Sequence, residues 1–212
     1  MHNLRGKGGV AQNALRHLRS GLAMQFVGDS KILIDCLLGD ASTSDPELSK
    51  FVRVAHAGLR TLTENFGIRA PGVEVLARQV PRSDNSAADA AANWALDHDS
   101  FMDVRLEDLL AFVHALGQSS SKQIGVLFSF DGAARGNPGP SSSGVCAWWG
   151  MFYGDLFESR GLLLQKGTKL GTGTNNSSEA HGLATALKTS LRWNCLVIEQ
   201  LSHLALHTVS DN

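Results

Sequence analysis

The chain has 212 residues, of which 43% are hydrophobic, so it has enough apolar side chains for the core of one full domain or of two small ones. Its formal net charge is −1. Lys and Arg nearly balance Asp and Glu, eleven against eleven in residues 1–100 and eight against nine in residues 101–212. This balance argues against a strong non-specific nucleic-acid binder and leaves only a local basic patch open.

The cysteines and the amino-terminal residues bear on the cellular compartment. Cys36, Cys146 and Cys195 are odd in number and widely spaced, with no Cys-x-x-Cys pair, which favours a reducing compartment over a disulfide scaffold or a zinc site. The first five residues lead into glycines, and no run of 18 apolar residues exists. The sequence therefore predicts a soluble intracellular protein, in the cytoplasm or nucleus, without a membrane partner.

The first hundred residues predict helices that alternate with short strands. Helical spacing of apolar residues is present in four segments, 11–22, 31–38, 48–66 and 86–96. Short strands are predicted at 24–27 and 73–80. Asp45 precedes Pro46 at the start of the third helical segment, where we expect it to act as the N-cap.

The second half predicts a meander of three strands between helices. An amphipathic helix is predicted over 101–116, and a polar linker follows over 118–123. Three consecutive strands are predicted at 124–130, 144–153 and 156–164. A further helix is predicted over 175–193, and the pattern of 197–209 is ambiguous.

A carboxylate followed by a turn ends the first strand of this meander. Asp131 closes an apolar run and opens into Gly132-Ala133-Ala134-Arg135-Gly136-Asn137-Pro138-Gly139. A carboxylate at the end of a central strand is held rigidly, and the glycines let a bulky polyanion approach the backbone closely. An ordinary pair of turns is the alternative interpretation of the same residues.

Three more carboxylates lie at junctions of predicted elements. Glu179 is in the first turn of a helix capped by Thr174 or Asn175, where an acid is favourable in any case. Asp29 follows a strand and precedes a helix, a position that an ordinary N-cap also occupies. Asp89 lies in an Ala-rich helix after Val80-Pro81-Arg82, and a solvated helix residue is its alternative interpretation.

These segments together resemble ribonuclease H type 1, over about 124–212 and about 11–97. The resemblance implies a ribonuclease H-like α/β fold, in which a mixed sheet of an antiparallel three-strand meander and parallel strands is flanked by helices. It also implies endonucleolytic cleavage of the RNA strand of RNA–DNA hybrids. The family performs this hydrolysis with two metal ions, Mg²⁺ or Mn²⁺, that make a water nucleophilic and stabilise the leaving oxygen.

The resemblance also implies roles for individual residues. Four carboxylates would be catalytic and bind the metal ions: Asp131, Glu179, Asp29 and Asp89. Five residues would contact the nucleic acid, four in the minor groove and the last at a phosphate: Gly136, Asn137, Asn175, Asn176 and Arg82. The side chain of Arg82 fits an ordinary surface arginine equally well.

The order of the segments departs from the family. Residues 1–100 look like the carboxyl-terminal half of a ribonuclease H-like unit, 101–123 like a helix and linker, and 124–212 like the amino-terminal half. The blocks are either a circularly permuted domain or two incomplete tandem copies. The spacings favour trimmed copies, since Gln12 stands where a second copy would carry its Glu. Asp211 correspondingly resembles a second Asp29 and is a further catalytic candidate.

Two alternatives to an active enzyme stay open from the sequence. One is a catalytically inactive ribonuclease H-like protein that binds nucleic acid, and the other is a remnant of a transposon or reverse-transcriptase element. A dehydrogenase or a kinase is excluded, because Gly136-Asn137-Pro138-Gly139 provides neither Gly-x-Gly-x-x-Gly nor a P-loop Lys-Ser/Thr. The sequence does not predict an oligomeric state.

Overall fold

The computed structural model describes residues 12–14, 22–66, 77–118, 123–154 and 156–210, apart from the side chains of 65, 66 and 193–210. Six strands lie within these ranges: β1 (Ala23–Gly28), β2 (Ala77–Gln79), β3 (Phe101–Val104), β4 (Ile124–Ala134), β5 (Gly139–Tyr153) and β6 (Leu156–Gly173). The helices of more than one turn are α1 (Lys31–Leu38), α2 (Pro46–Phe66), α3 (Ser86–Asp97), α4 (Leu106–Gln118) and α5 (Asn175–Ser210). A short 3₁₀ helix, Arg82–Asn85, precedes α3.

The strands form one mixed sheet in the order β2-β1-β4-β5-β6-β3. β4, β5 and β6 pair antiparallel as the predicted meander, and β3 adds to β6 antiparallel. β1 pairs parallel with both β2 and β4. Strands from the two halves of the chain are thus neighbours in one sheet. The predicted α/β class with a mixed sheet flanked by helices is confirmed.

The two central strands are buried because each has strands on both sides and helices over its faces. All six residues of β1 are buried, and β4 is buried along nearly its whole length. Such strands are expected to be mostly apolar, and in Ile124 to Phe130 the only polar side chain is that of Ser129. Phe26 and Phe128, which are paired in register, stack their rings at 5.3 Å in this core. The core therefore spans both halves of the chain.

Helices lie on both faces of the sheet. A Cβ at Gly144 of β5 would come within 2.1 Å of the Ala88 carbonyl oxygen, so α3 lies against that face. A Cβ at Gly132 of β4 would instead come within 2.1 Å of the Glu179 nitrogen, so α5 lies against the other. The two glycines face opposite sides because Gly144 is paired with Asp131, one residue before Gly132.

The predicted helix over 101–116 is wrong in its first turn. Residues Phe101–Val104 form β3, and the helix begins at Leu106. Phe101 and Val104 are aromatic and β-branched residues that suit a strand, and the open side of β6 supplies backbone partners that an isolated helical turn lacks. The apolar spacing of so short a segment fits a helix and a strand equally well, and pairing with β6 decides for the strand.

The remaining predicted elements agree in place and differ in length. The Asp45 side chain accepts hydrogen bonds from the Glu47 and Leu48 amides, which confirms it as the N-cap of α2. β4 and β6 run beyond their predicted ends, and α5 continues through the ambiguous segment to Ser210. Of the predicted helix at 11–22, residues 12–14 are helical and Leu22 is not, while 11 and 15–21 lie outside the described residues. Residues 73–76 and 119–122 also lie outside them. No helix within the described residues has the length and apolar character of a membrane span.

Gly144→Ala tests the close packing of α3 on the sheet. The new methyl group would meet backbone atoms of Ala88 and Ala92, and we expect it to lower the free energy of unfolding by about 1–3 kcal/mol, as overpacking does. Gly58→Ala in α2 is the matched control. Its Cβ has no neighbour within 3.5 Å, and we expect the helix to gain about 1 kcal/mol. Equal stability of the two variants in urea unfolding would contradict this packing.

Candidate metal centre

Three carboxylates from separate elements meet at one end of the central strands. Asp29, Asp131 and Glu179 each offer an oxygen, and these oxygens lie within 4.8 Å of one another. The parallel register brings the first two together, because Val27 is paired with Ser129 and the next residue on the same face of each chain is an aspartate. The cluster therefore depends on β1 and β4 being neighbours.

Glu179 joins the cluster because glycines let α5 come against β4. A Cβ at Gly132 would lie 2.1 Å from the Glu179 nitrogen, and a Cβ at Gly182 would lie 2.6 Å from the Asp131 carbonyl oxygen. Both positions are too close to backbone for any side chain. Because neither position has a side chain, the first turn of α5 can lie directly against β4. This contact sets the position of the Glu179 carboxylate.

The start of α5 is fixed by a local cap. The Thr174 hydroxyl accepts a hydrogen bond from the Ser177 amide at 3.1 Å, and the Ser177 hydroxyl accepts one from the Thr174 amide at 3.0 Å. Thr174, one of the two predicted caps, is therefore the N-cap. The Asn175 side-chain amide donates to Glu179 Oε1 at 2.8 Å, which orients the carboxylate.

Burial raises the pKa of the Asp131 carboxyl. Its side chain is 3% exposed, and Oδ1 accepts a hydrogen bond from the Gly132 amide at 2.7 Å. Oδ2 is buried and has no hydrogen-bond partner among the described residues. Desolvation, with the nearby charge of Asp29 next, raises the pKa of Asp131 to about 7, and the Gly132 hydrogen bond opposes the shift.

Glu179 is in a milder version of the same environment. Burial is the largest cause of its raised pKa, and the charge of Asp29 acts in the same direction. Hydrogen bonds from Ser30 and Asn175 favour the charged form and oppose the increase, as does the charge of Arg82. The cluster thus holds negative charge that the protein compensates only in part.

Asp89, the fourth predicted ligand, is not a member of the three-carboxylate group. Its carboxylate accepts a hydrogen bond from the Arg82 guanidinium at 2.6 Å, in an ion pair with Arg82 three-quarters exposed. That hydrogen bond, followed by the charges of Asp89 and Asp131, raises the pKa of Arg82. Asp89 also contributes to the raised pKa of Asp131, so the ion pair borders the cluster.

The four residues proposed for minor-groove contact lie in two places. Gly136, whose φ is +90°, and Asn137 are exposed in the turn between β4 and β5. Asn176 is exposed at the start of α5, next to Asn175. An ion pair between Arg135 and Asp97 connects the β4–β5 turn to the end of α3. Asp211 lies outside the described residues.

Asn85 is a contributor to which the sequence analysis assigned no role. It is fully buried, and its side-chain amide donates to the Phe130 carbonyl at 3.0 Å and contacts Asp29 Oδ1 at 3.4 Å. It thereby fixes the 3₁₀ helix before α3 to the strand that carries Asp131. A polar residue at a helix start reads as an ordinary cap, so only its place between Arg82 and Asp89 distinguished it in the sequence.

The cluster fits a divalent cation such as Mg²⁺ or Mn²⁺. Its donors are all carboxylate oxygens, which hard cations prefer, and they come from three elements rather than from one flexible loop. The buried, unpartnered Oδ2 of Asp131 is a ligand atom without another function in the described residues. A cation would also offset the desolvation and the nearby Asp29 charge that raise the pKa of Asp131.

The similarity to known proteins is partial. A stretch of 61 residues, 29% of this chain, is 39% identical to a ribonuclease HI from Halobacterium salinarum and corresponds to 27% of that protein's length. No family model and no solved structure matches the chain. The short match supports a ribonuclease H-like relationship over that stretch.

The acidity of Asp131 predicts how stability depends on pH. The pKa of Asp131 is about 7 in the folded protein and 3.8 in its ordinary state. Protonation of Asp131 therefore stabilises the fold fully below pH 3.8, and this contribution is lost as the pH rises through about 7. Without divalent cations, we expect Asp131→Asn to be more stable than the parent protein at pH 8, by up to about 4 kcal/mol at ~1.4 kcal/mol per pKa unit. The difference should vanish near pH 4.

Urea unfolding at pH 4 and pH 8 in EDTA measures this effect. Asp40→Asn, at an exposed carboxylate in the loop after α1, is the control and should match the parent protein at both values. Adding Mg²⁺ or Mn²⁺ at pH 8 should raise the melting temperature of the parent protein and leave that of Asp131→Asn unchanged. An Asp131→Asn protein no more stable than the parent at pH 8 would contradict the assigned acidity.

Proposed function

We propose that this protein hydrolyses the RNA strand of RNA–DNA hybrids with Mg²⁺ or Mn²⁺ bound at the three-carboxylate cluster. The convergence of Asp29, Asp131 and Glu179 is the observation that carries this proposal. These are three of the four positions that the resemblance to ribonuclease H type 1 marks as metal ligands. The partial similarity to a ribonuclease HI supports the same class of reaction.

We further propose that the two blocks form one composite site, as in a circularly permuted domain. In the family's order the strand with the first Asp begins the unit, and here the corresponding β4 comes after β1. The parallel pairing of β1 with β4 supports this arrangement, since it puts Asp29 of one block beside Asp131 of the other. Each block alone lacks at least one of the three carboxylates.

The residues of the cluster have distinct roles in this proposal. Asp131, Asp29 and Glu179 would hold the cations, with Asp131 as the ligand that the bound cations share. Bound divalent cations would supply the positive charge that makes a water nucleophilic and stabilises the leaving oxygen. Hydrogen bonds from Ser30 and Asn175 favour the charged form of Glu179, and the Asn85 side chain contacts Asp29.

Asp89 completes the site in this proposal through a change of partner. In the structure its carboxylate is paired with Arg82, and both side chains are accessible to solvent. A substrate phosphate would compete for the guanidinium, and the Asp89 carboxylate would then be available as a further ligand. The proposed minor-groove contacts, Gly136, Asn137 and Asn176, are exposed and accessible to a duplex.

Hydrolysis of a labelled RNA–DNA hybrid tests the function. We expect Mg²⁺- or Mn²⁺-dependent cleavage within the RNA strand, lowered at least ~100-fold in Asp131→Asn and Glu179→Gln, since each removes metal-binding charge. Asp40→Asn should retain the parent rate. An all-DNA duplex of the same sequence controls for substrate class and should stay intact.

The alternative outcome identifies the inactive relative. Binding of the hybrid without cleavage, equal with and without Mg²⁺, would sink the enzymatic proposal and support a nucleic-acid-binding protein or a retroelement remnant. Equal cleavage by the parent protein and Asp131→Asn would point to a contaminating nuclease. Arg82→Ala tests the phosphate contact proposed for Arg82 separately from the metal-ligand role proposed for Asp89. Loss of the phosphate contact should raise KM.

A further inference from the structure

β3 leaves one side of the sheet open. It pairs with β6 alone, and within the described ranges no strand lies on its other side. The Arg105 amide donates to the Leu163 carbonyl at 3.0 Å, so in an antiparallel ladder the backbone groups of Phe101, Asp103 and Arg105 face β6. The N–H and C=O groups of Met102 and Val104 therefore point to the open side.

An apolar patch lies along this open edge. Met102 is 64% exposed, Val104 49% and Leu106 63%, and Leu110 is exposed one helical turn further on. Met102 and Val104 are on the same face of β3, because side chains alternate along a strand. We call these four residues the edge patch. An open edge with exposed apolar side chains is a template for pairing with another strand.

The charges on β3 are complementary to those of a second copy. Asp103 and Arg105 flank Val104 and form an exposed ion pair at 2.9 Å. If two copies of β3 pair antiparallel around Val104, each Asp103 lies opposite the partner's Arg105. Opposite charges directly across a ladder stabilise the pair, and like charges destabilise it.

The same register also brings apolar side chains together. Val104 lies opposite the partner's Val104, and Met102 faces the start of the partner's α4, where Leu106 is exposed. Val104 is then a hydrogen-bonded pair that uses its outward N–H and C=O groups. A register centred on Asp103 would instead put two carboxylates against each other. The charges on β3 therefore favour the register centred on Val104 over the one centred on Asp103.

We propose that the occupant of this edge is a second copy of the chain, joined antiparallel through β3 about a two-fold axis at Val104. The interface is isologous, with the edge patch of each copy on the same side of a sheet that continues from one copy to the other. The metal centre, on β1 and β4, is separated from β3 by β5 and β6, so it stays outside the interface. The proposal does not depend on the proposed function.

Charge complementation tests the interface. Asp103→Arg puts two arginines at these positions, and Arg105→Asp puts two aspartates there, so each variant opposes like charges in its own dimer. We expect each to dissociate with a Kd raised about tenfold or more, because two cross-strand pairs are reversed. An equimolar mixture restores both opposite-charge pairs, so we expect a heterodimer with a Kd near that of the parent protein.

Sedimentation velocity over micromolar concentrations measures these constants, and circular dichroism checks that each variant is folded. The matched control is the ion pair of Glu158 and Arg160, which are also two residues apart and half-exposed on a strand. Glu158→Arg and Arg160→Glu should dimerise like the parent protein. A parent protein that stays monomeric, or a mixture that associates no better than its components, would overturn the proposal.

Discussion

The parallel pairing of β1 with β4 is the constraint on which the rest of the structure depends. It joins the two halves of the chain in one sheet, and its register sets Asp29 beside Asp131. The interior position of both strands makes them apolar and buried, which in turn desolvates the Asp131 carboxylate of β4. The pairing of β1 with β4 therefore creates the acidic cluster and also buries it, so that the charged form of Asp131 is destabilised.

That penalty is a physical reason to regard the cluster as functional. A buried carboxylate with a raised pKa and an unpartnered oxygen destabilises the charged fold, and a structural role alone would be better served by an amide. The surroundings position the charges and compensate them only in part: Asn175 and Ser30 act on Glu179, and Arg82 is held beside Asp89. A site that is completed by a cation from solution has this incomplete compensation.

Local patterns in the sequence identified most elements and could not give their arrangement. The strand before Asp131, the N-cap at Asp45 and the helix that carries Glu179 follow from hydrophobic spacing and capping within a few residues. The convergence of Asp29 with Asp131 depends on pairing between segments about a hundred residues apart, which no local pattern encodes. β3 was missed for the same reason, because the open side of β6 decides its structure. The role of Asn85 could not be predicted because its partners, Phe130 and Asp29, are distant in sequence.

The segment between the two blocks has a structural consequence of its own. A connection after α3 has to cross the sheet to reach β4, and here it does so by adding β3 to the far edge and packing α4 over the core through Phe112 and Leu116. The added strand pairs the free side of β6 between Leu164 and Gly167 and in doing so creates a new free side. An edge can be removed only by covering it or by pairing it with another strand. The connection that lets the two blocks share one sheet is thus also the element that exposes a new edge, with its self-complementary charges.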